Sequence, residues 1–258
     1  MAGESTTFDQ LDSLSDYYPM TKEILGQVYI FNHVSFDNRS LGTRYGSVKD
    51  CQDIEEVFHK LKFKVKIYKD LSYKKIVKTL SKIAEKDYSN FDCLVIFVLT
   101  HGGKRKIFAK DIDYYPDVYW NSFKDKPTFK NKPKLIFIQD SRGDEVDDET
   151  HYRIKMPQTV HHAPLVPTNY SLPDIPDVLL MYSCYDGFFS WRSCVTGSSF
   201  VQYLCYEIYQ WSKSLDMLTL LTFLNPKLYV NFEENNSDDE KKHVIIISTL
   251  TKVLHFDR

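Results

Sequence analysis

Cysteine is scarce in this chain of 258 residues, with only five in all, and they are Cys51, Cys93, Cys184, Cys194 and Cys205. Their number is odd and no two of them form a CxxC pair. This spacing argues against a disulfide framework and against a zinc ribbon, and it favours free thiols in a reducing compartment. The sequence therefore raises the question of whether one of these thiols is a nucleophile.

Long apolar runs and an excess of one charge sign are also missing. The longest apolar run, Leu94–Leu99, is far shorter than the roughly 20 residues that span a bilayer. Basic residues number 33 and acidic residues 35, so the formal net charge is −2. We therefore expect no membrane partner and no nucleic-acid partner. The polar, acidic N-terminus is unlike a secretory or mitochondrial leader, and a cytoplasmic location is predicted.

Apolar residues make up 43% of the chain, which is enough for a folded core. Residues 1–26 are interpreted as a short flexible leader, after which strand and helix patterns alternate. The period of the apolar residues predicts helices around 51–61, 76–83, 200–208 and 217–230, and strands at 28–31, 63–68, 93–99, 135–138, 178–182 and 244–248. This alternation predicts an α/β fold with a mostly parallel sheet and helices on both faces.

The pattern stops between residues 144 and 176, where acidic residues are followed by five prolines. A stretch of this length without periodicity is usually a functional loop or a linker. We interpret 27–143 and 177–258 as two parts of one domain, joined by a linker at 144–176.

Three short segments follow predicted strands: Leu99–Gly103, Gln139–Gly143 and Ser190–Arg192. Ligands bind at the carboxyl ends of strands in open α/β sheets, so these segments are expected to share one crevice. A histidine followed by two glycines offers a base and unobstructed backbone N–H groups, a layout suited to acyl transfer with an oxyanion hole.

From about residue 24 to 256 the sequence resembles the caspase family. The resemblance rests on the order and spacing of these segments: Phe31–His33, Arg44–Ser47 with Asp50, Leu99–Gly102, Lys132–Leu135 leading into Gln139–Gly143, Phe189–Arg192 with Gly197–Ser198, and Leu250–Lys252. It implies a caspase-like sandwich built on a central six-stranded, mostly parallel sheet. No cofactor and no metal is indicated.

The nucleophile signature of caspases is Gln-Ala-Cys-x-Gly, with a catalytic histidine upstream. This chain has Gln139-Asp140-Ser141-Arg142-Gly143, with His101 upstream. The resemblance implies a thiol at 141, a general base at His101, and oxyanion donors at the backbone N–H groups of Gly102 and residue 141. Asp140 and Ser141 are therefore predicted to be disabling substitutions. A serine needs a tightly bonded base and a third, orienting group, and loss of a nucleophile costs on the order of 10⁶ in rate.

The resemblance also implies a pocket for a substrate aspartate, formed by Arg44, Gln139 and Arg192, with apolar walls from Trp191 and Phe189. Planar guanidinium groups suit a carboxylate because they donate two parallel hydrogen bonds. We hypothesise that the Asp140 carboxylate repels an incoming aspartate or occupies this pocket itself.

Two further features concern processing and assembly. Four aspartates in or beside the linker are candidate cleavage positions: Asp147, Asp148, Asp174 and Asp177. The last strand is unusually apolar for an edge, which favours pairing with another chain, and its residues are Val244, Ile245, Ile246, Ile247 and Ser248. In caspases the equivalent strand forms the dimer interface.

These features favour a catalytically inactive caspase homologue that regulates apoptosis. It would act by pairing with a paralogous active caspase, which it would activate, or by pairing with itself. Two alternatives stay open. The chain is a working Asp-specific cysteine protease in which Ser141 is a laboratory replacement of cysteine, or it is a dominant-negative inhibitor.

Overall fold

The computed structural model describes residues 15–103, 105–141, 172–183, 192–193, 196–233 and 244–256. The strands are β1 (Gly26–Asn32), β2 (Phe63–Lys69), β3 (Cys93–His101), β4 (Ile107–Phe108), β5 (Asp113–Tyr114), β6 (Lys134–Ser141), β7 (Val178–Tyr182), β8 (Arg192–Ser193), β9 (Gly197–Ser198) and β10 (Ile245–Ser248). The α-helices are α1 (Ser47–Lys60), α2 (Tyr73–Ala84), α3 (Val118–Asn121), α4 (Ser199–Trp211) and α5 (Met217–Glu233).

Six of these strands form the central sheet, in the order β10-β7-β6-β3-β1-β2. All neighbouring pairs run parallel except β10 and β7, which are antiparallel. The middle strand β3 is buried along its whole length up to His101. Burial on both faces is typical of strands in a parallel sheet. The predicted six-stranded, mostly parallel sheet is thus confirmed.

Helices cover both faces of the sheet, as predicted. Helices α1, α4 and α5 pack on one face, where Ile54 and Phe58 of α1 are fully buried. Helices α2 and α3 pack on the other, where Ile76 and Leu80 of α2 are fully buried. The last strand lies at the edge of the sheet, also as predicted, but it begins at Ile245 rather than Val244.

The prediction of a flexible leader up to residue 26 is wrong for residues 15–25, and residues 1–14 lie outside the described ranges. Tyr18 and Met20 are buried, at 1% and 3% exposure. The Asp92 carboxylate accepts hydrogen bonds from the backbone N–H groups of Thr21 and Lys22, at 2.7 and 2.8 Å. These long-range contacts make the segment a packed part of the domain.

The N-terminal segment is held by a cluster that we call the Asp177 clamp, formed by Tyr18, Asp177 and Thr251. Oδ1 of Asp177 accepts hydrogen bonds from the Tyr18 hydroxyl at 2.6 Å and from the Thr251 hydroxyl at 2.5 Å. The Tyr18 oxygen in turn accepts the N–H of Thr251 at 3.0 Å. Burial and the hydrogen bond to Asp177 raise the pKa of Tyr18 to about 12, so its hydroxyl remains a donor at neutral pH.

The clamp overturns one of the predicted cleavage positions. Asp177 is only 3% exposed, and its backbone N–H and carbonyl bond Thr249 and Lys134. A protease needs an extended, accessible segment, so the prediction of cleavage at Asp177 is wrong. The carboxylate of Asp174 is exposed and pairs with Lys124 at 2.6 Å, and Asp174 stays a prediction. Asp147 and Asp148 lie outside the described residues.

Replacing Tyr18 with phenylalanine is expected to destabilise the fold, because the buried Asp177 carboxylate loses a donor. We expect a loss of about 1–3 kcal/mol in the free energy of unfolding, measured by denaturant titration. Tyr206→Phe is the matched control, since the Tyr206 side chain is largely exposed. Equal losses in the two variants would contradict the role of the clamp.

Candidate active site

The pairing of β3 with β6 brings two of the predicted catalytic positions together. The two strands run parallel, and the register places His101 directly opposite Ser141. Paired strands lie about 4.8 Å apart, so the backbone of residue 141 is a direct neighbour of the histidine. The segments that end β3 and β6 therefore share one edge of the sheet.

The ring of His101 is oriented by a carbonyl group and an aromatic ring. Its Nε2 atom lies 2.8 Å from the carbonyl oxygen of Gly42. A carbonyl oxygen only accepts, so Nε2 donates this hydrogen bond. The Phe36 ring packs against the imidazole with the ring centroids 5.0 Å apart. These contacts orient the ring, and the general-base role of His101 stays a prediction.

The two glycines after His101 enter a narrow hairpin. Gly102 forms an isolated antiparallel bridge with Ile107, and the N–H of Gly103 donates to the carbonyl of Lys106 at 2.8 Å. The N–H that this hairpin uses is therefore that of Gly103. The arrangement is compatible with the predicted oxyanion role of the Gly102 N–H, which stays a prediction.

Two of the predicted substrate-binding residues contact each other near the carboxyl ends of these strands. Arg44 and Gln139 are buried, at 1% and 0% exposure, and Nη2 of Arg44 donates to Oε1 of Gln139. Nη1 of Arg44 donates to the carbonyl of His33 at 2.9 Å. A buried guanidinium beside an amide is suited to bind a carboxylate.

The third predicted ligand of a substrate carboxylate, Arg192, is the first residue of β8. Its backbone pairs with Ser198 of β9. Phe189 and Trp191 lie outside the described residues. The structure thus brings Arg44 and Gln139 together, while the roles predicted for Arg192, Phe189 and Trp191 stay predictions.

The hypothesis that Asp140 fills the Arg44–Gln139 pocket is wrong. Leu135 and Phe137 of β6 face one side of the sheet, and Ile136 and Ile138 face the other. Because side chains alternate along a strand, Asp140 lies on the face opposite Gln139. Asp140 is fully buried there. Any disabling effect of Asp140 therefore has to act on residue 141 from the face of the sheet opposite the Arg44–Gln139 pocket, through its burial and its charge.

Sequence reasoning missed Ser183, which follows β7 and supports the end of β6. Its Oγ lies 3.3 Å from the backbone nitrogen and 3.2 Å from the carbonyl oxygen of Asp140. The hydroxyl therefore fixes the backbone immediately before residue 141. No pattern around Ser183 marks this contact, because it joins residues from separate strands.

Asp50 is a second supporting residue, which the resemblance includes without a role. Its buried carboxylate accepts the N–H of Ser198 at 2.7 Å. Gly197 has a φ of +84°, and a Cβ there would collide with the Asp50 carboxylate. Both facts require glycine at this position. Together these residues hold the β8–β9 hairpin, which carries Arg192, against α1.

The cysteines of the described residues are unsuited to catalysis. Cys51, Cys93 and Cys205 are free and buried. Burial raises the pKa of the Cys51 thiol to about 12, and it also raises the pKa of Cys93 and Cys205. Reactive cysteines have the opposite property, a lowered pKa. Cys184 and Cys194 lie outside the described residues.

Neither metal ligands nor a membrane segment were found in the parts of the chain that the structure describes. Within those parts, no three His, Cys, Asp or Glu side chains converge as metal ligands do. None of the helices there combines the length and the apolar character that a membrane span requires.

Comparisons with known proteins identify similar chains. A family model described as "Caspase domain" matches residues 26–255. Caspase-1 of Spodoptera frugiperda is 38% identical over 256 residues, which cover 96% of this chain and 84% of the relative. Caspase drICE of Drosophila melanogaster is 36% identical over 246 residues, covering 93% and 72%. The crystal structure of caspase-1 from Spodoptera frugiperda matches with a TM-score of 0.77 at 36% identity, covering 95% of this chain and 94% of that chain.

A buried histidine beside the site makes the fold sensitive to acid. His33 is fully buried, and its Nε2 donates to the carbonyl of Leu71 at 3.1 Å. Burial, and in smaller part the charge of Arg44, lower its pKa from 6.5 to about 4. Between these two values the unfolded chain binds a proton that the folded chain does not bind. Stability is therefore retained above pH 6.5 and is lost as the pH falls towards 4.

His33→Gln is expected to remove most of this acid sensitivity. In the wild type the free energy of unfolding should fall by up to about 1.4 kcal/mol per pH unit between pH 6.5 and 4. Denaturant titrations at several pH values measure the slope. His59→Gln, at an exposed histidine, should leave the slope unchanged. The assignment fails if His33→Gln retains the wild-type slope.

Proposed function

The chain belongs to the caspase family of cysteine proteases, and from this premise we propose that it is an inactive member that regulates an active paralogue by pairing with it. One observation carries the proposal: serine stands at position 141, opposite His101, where the family has its cysteine. A role in apoptosis follows from the family.

The chemistry of a serine supports inactivity. A serine hydroxyl becomes a nucleophile when a histidine is bonded to it and a buried carboxylate orients that histidine. The Gly42 carbonyl, which accepts the hydrogen bond from Nε2 of His101, carries no charge to stabilise an imidazolium. The three described thiols are buried and protonated, so they are poor substitutes for the missing nucleophile.

The preserved scaffold supports a role in binding. Arg44, Gln139 and the Asp50–Ser198 contact maintain the arrangement that a live site would need. A chain that keeps this arrangement but lacks the nucleophile is consistent with a protein that acts by binding a partner rather than by catalysis. If this chain binds the active arrangement of its partner more tightly than the inactive arrangement, the binding energy shifts the partner towards the active arrangement.

The edge strand β10 is the proposed pairing surface. Its three isoleucines, Ile245–Ile247, are only partly buried, and the strand is hydrogen-bonded to β7 on one side. The backbone groups on its other side suit pairing with a strand of a second chain. Caspases form dimers, and we propose that this strand pairs with the corresponding strand of a paralogue.

Processing and location complete the proposal. The parts 27–143 and 177–258 would correspond to the two halves of a cleaved caspase, with Asp147, Asp148 or Asp174 as the cleavage position. Buried free thiols are consistent with a reducing, cytoplasmic location.

Titration of this protein into an active paralogous caspase should raise the rate at which an Asp-containing peptide is cleaved, until the rate saturates. The control is Ile246→Lys, which places a charge in the pairing strand and should abolish the effect. A flat response would contradict a regulatory role. A falling rate would support the dominant-negative alternative instead.

The second candidate function is an Asp-specific protease in which Ser141 replaces a natural cysteine. The intact Arg44–Gln139 contact favours it, because the resemblance to caspases assigns both residues to substrate binding.

Restoring the thiol separates the two candidates. We expect Ser141→Cys alone to have little activity towards an Asp-containing peptide. Adding Asp140→Ala should raise kcat/KM by about tenfold, since each unit by which a nearby carboxylate raises the pKa of a thiol lowers its thiolate fraction about tenfold. Ser214→Cys, at an exposed serine away from the site, controls for the reactivity of any added thiol. Full activity of the single variant would identify a working protease.

A further inference from the structure

A dense group of lysines lies on the far side of the sheet from β10. Residues 62–86 contain nine lysines, no arginine and two carboxylates, although the whole chain has a net charge of −2. We call them the lysine surface, and they are Lys62, Lys64, Lys66, Lys69, Lys74, Lys75, Lys78, Lys82 and Lys86. They belong to the edge strand β2, to helix α2, and to the residues that flank these elements.

The outer face of α2 is strongly basic, although the exposed Val77 and Ser81 also lie on it. At 3.6 residues per turn, its four lysines fall within an arc of about 100°, opposite the buried Ile76, Leu80 and Ile83. The helix contains no acidic residue. Lys74, Lys78 and Lys82 are spaced by four residues, and like charges at this spacing destabilise a helix. The stripe therefore weakens α2 in the isolated chain.

The lysines of β2 continue this surface around the edge of the sheet. Lys64 and Lys66 lie on the same face as α2, with their Nζ atoms 5.8 Å from the ring centre of Phe91 and 5.2 Å from that of Tyr68. Lys86 lies 5.3 Å from the ring centre of Tyr29. Alternation along β2 puts Lys69 on the opposite face. The positive charge thus forms a ridge beside the partly exposed rings of Tyr68 and Phe91 and the buried ring of Tyr29.

The charge of this ridge is not neutralised within the described parts of the chain. There, none of the nine lysines lies within 4 Å of a carboxylate oxygen, whereas six other lysines form such pairs: Lys49, Lys60, Lys106, Lys110, Lys124 and Lys227. The two carboxylates of the segment bond other groups. Asp70 accepts the N–H groups of Val34 and Ser35, and Glu85 accepts the Ser81 hydroxyl.

Protection of the sheet edge explains only part of this pattern. Lysines on an edge strand prevent unwanted pairing with other strands, which accounts for the lysines of β2. The four lysines of α2 are not on an edge and do not protect one. Their clustering, at a cost to helix stability, points to an external polyanion.

Three features decide the kind of polyanion. Lysine offers point charges rather than the fork geometry of arginine, which suits phosphates contacted without base readout. The charges wrap around an edge, so a flexible strand can follow them, whereas a flat bilayer meets one side only. The rings of Tyr68 and Phe91 are partly exposed, as in surfaces on which bases stack. We propose that the lysine surface binds single-stranded nucleic acid through its sugar–phosphate backbone, contrary to the expectation from net charge that no nucleic acid is a partner.

The test is the binding of the full chain to a fluorescently labelled oligo-dT of about 20 nucleotides, followed by anisotropy at several salt concentrations. Affinity should fall as salt rises, because counterions are released on binding. The triple variant Lys74→Gln, Lys78→Gln, Lys82→Gln should bind at least tenfold more weakly. Its log–log salt slope should be smaller by about 2, the value for three lost contacts with a single strand.

The matched control is Lys22→Gln, Lys126→Gln, Lys130→Gln, which removes the same charge from lysines outside the surface that form no ion pair with any described carboxylate. It should bind like the wild type. Thermal unfolding of the α2 variant should show an unchanged or higher Tm, because like charges are removed. Equal weakening in the two triple variants would overturn the proposal. So would no oligo-dT binding at low salt, or binding confined to phosphatidylserine vesicles or to polyglutamate.

Discussion

The parallel pairing of β3 with β6 is the constraint on which the site depends. Its register runs from Leu94 opposite Lys134 to His101 opposite Ser141. A slip by one residue would turn every side chain of one strand to the other face of the sheet. Helices cover both faces of the sheet. Such a slip would therefore bury no additional apolar surface, and it would disrupt the side-chain packing of the hydrophobic cores on both faces. The packing of the core therefore positions the residues of the site, and contacts among the site residues themselves contribute little to their positions.

The sequence predicted the sheet and its helices because the spacing of apolar residues is a local property, which is visible within a single helix or strand. It failed where the decisive contact is distant. Tyr18 lies in a polar segment without periodicity, and its partner Asp177 is 159 residues away. The error about Asp140 has another origin, since that hypothesis relied on nearness along the chain. On a strand, adjacent residues point to opposite faces of the sheet. Asp140 and Gln139 are therefore neighbours in sequence, but their side chains lie on opposite faces.

The net charge illustrates how an average conceals an arrangement. A total of −2 is compatible with mixed charges everywhere, and equally with separate basic and acidic regions. Electrostatic interactions between exposed groups extend only about 10 Å in ordinary salt. What a partner meets is thus the local density of charge. Composition excludes a uniformly basic protein, but it does not describe any single face of the molecule.

The Asp177 clamp has a consequence for chain connectivity. The segment at Tyr17–Tyr18 is held by residues near both limits of the C-terminal part, namely Asp177 at its start and Thr251–Val253 near its end. The two parts are also joined through the sheet, where β6 pairs with β7. They are therefore interlocked at two separated places. Cutting the covalent link between them would leave both sets of noncovalent contacts in place, so the two parts are expected to stay associated.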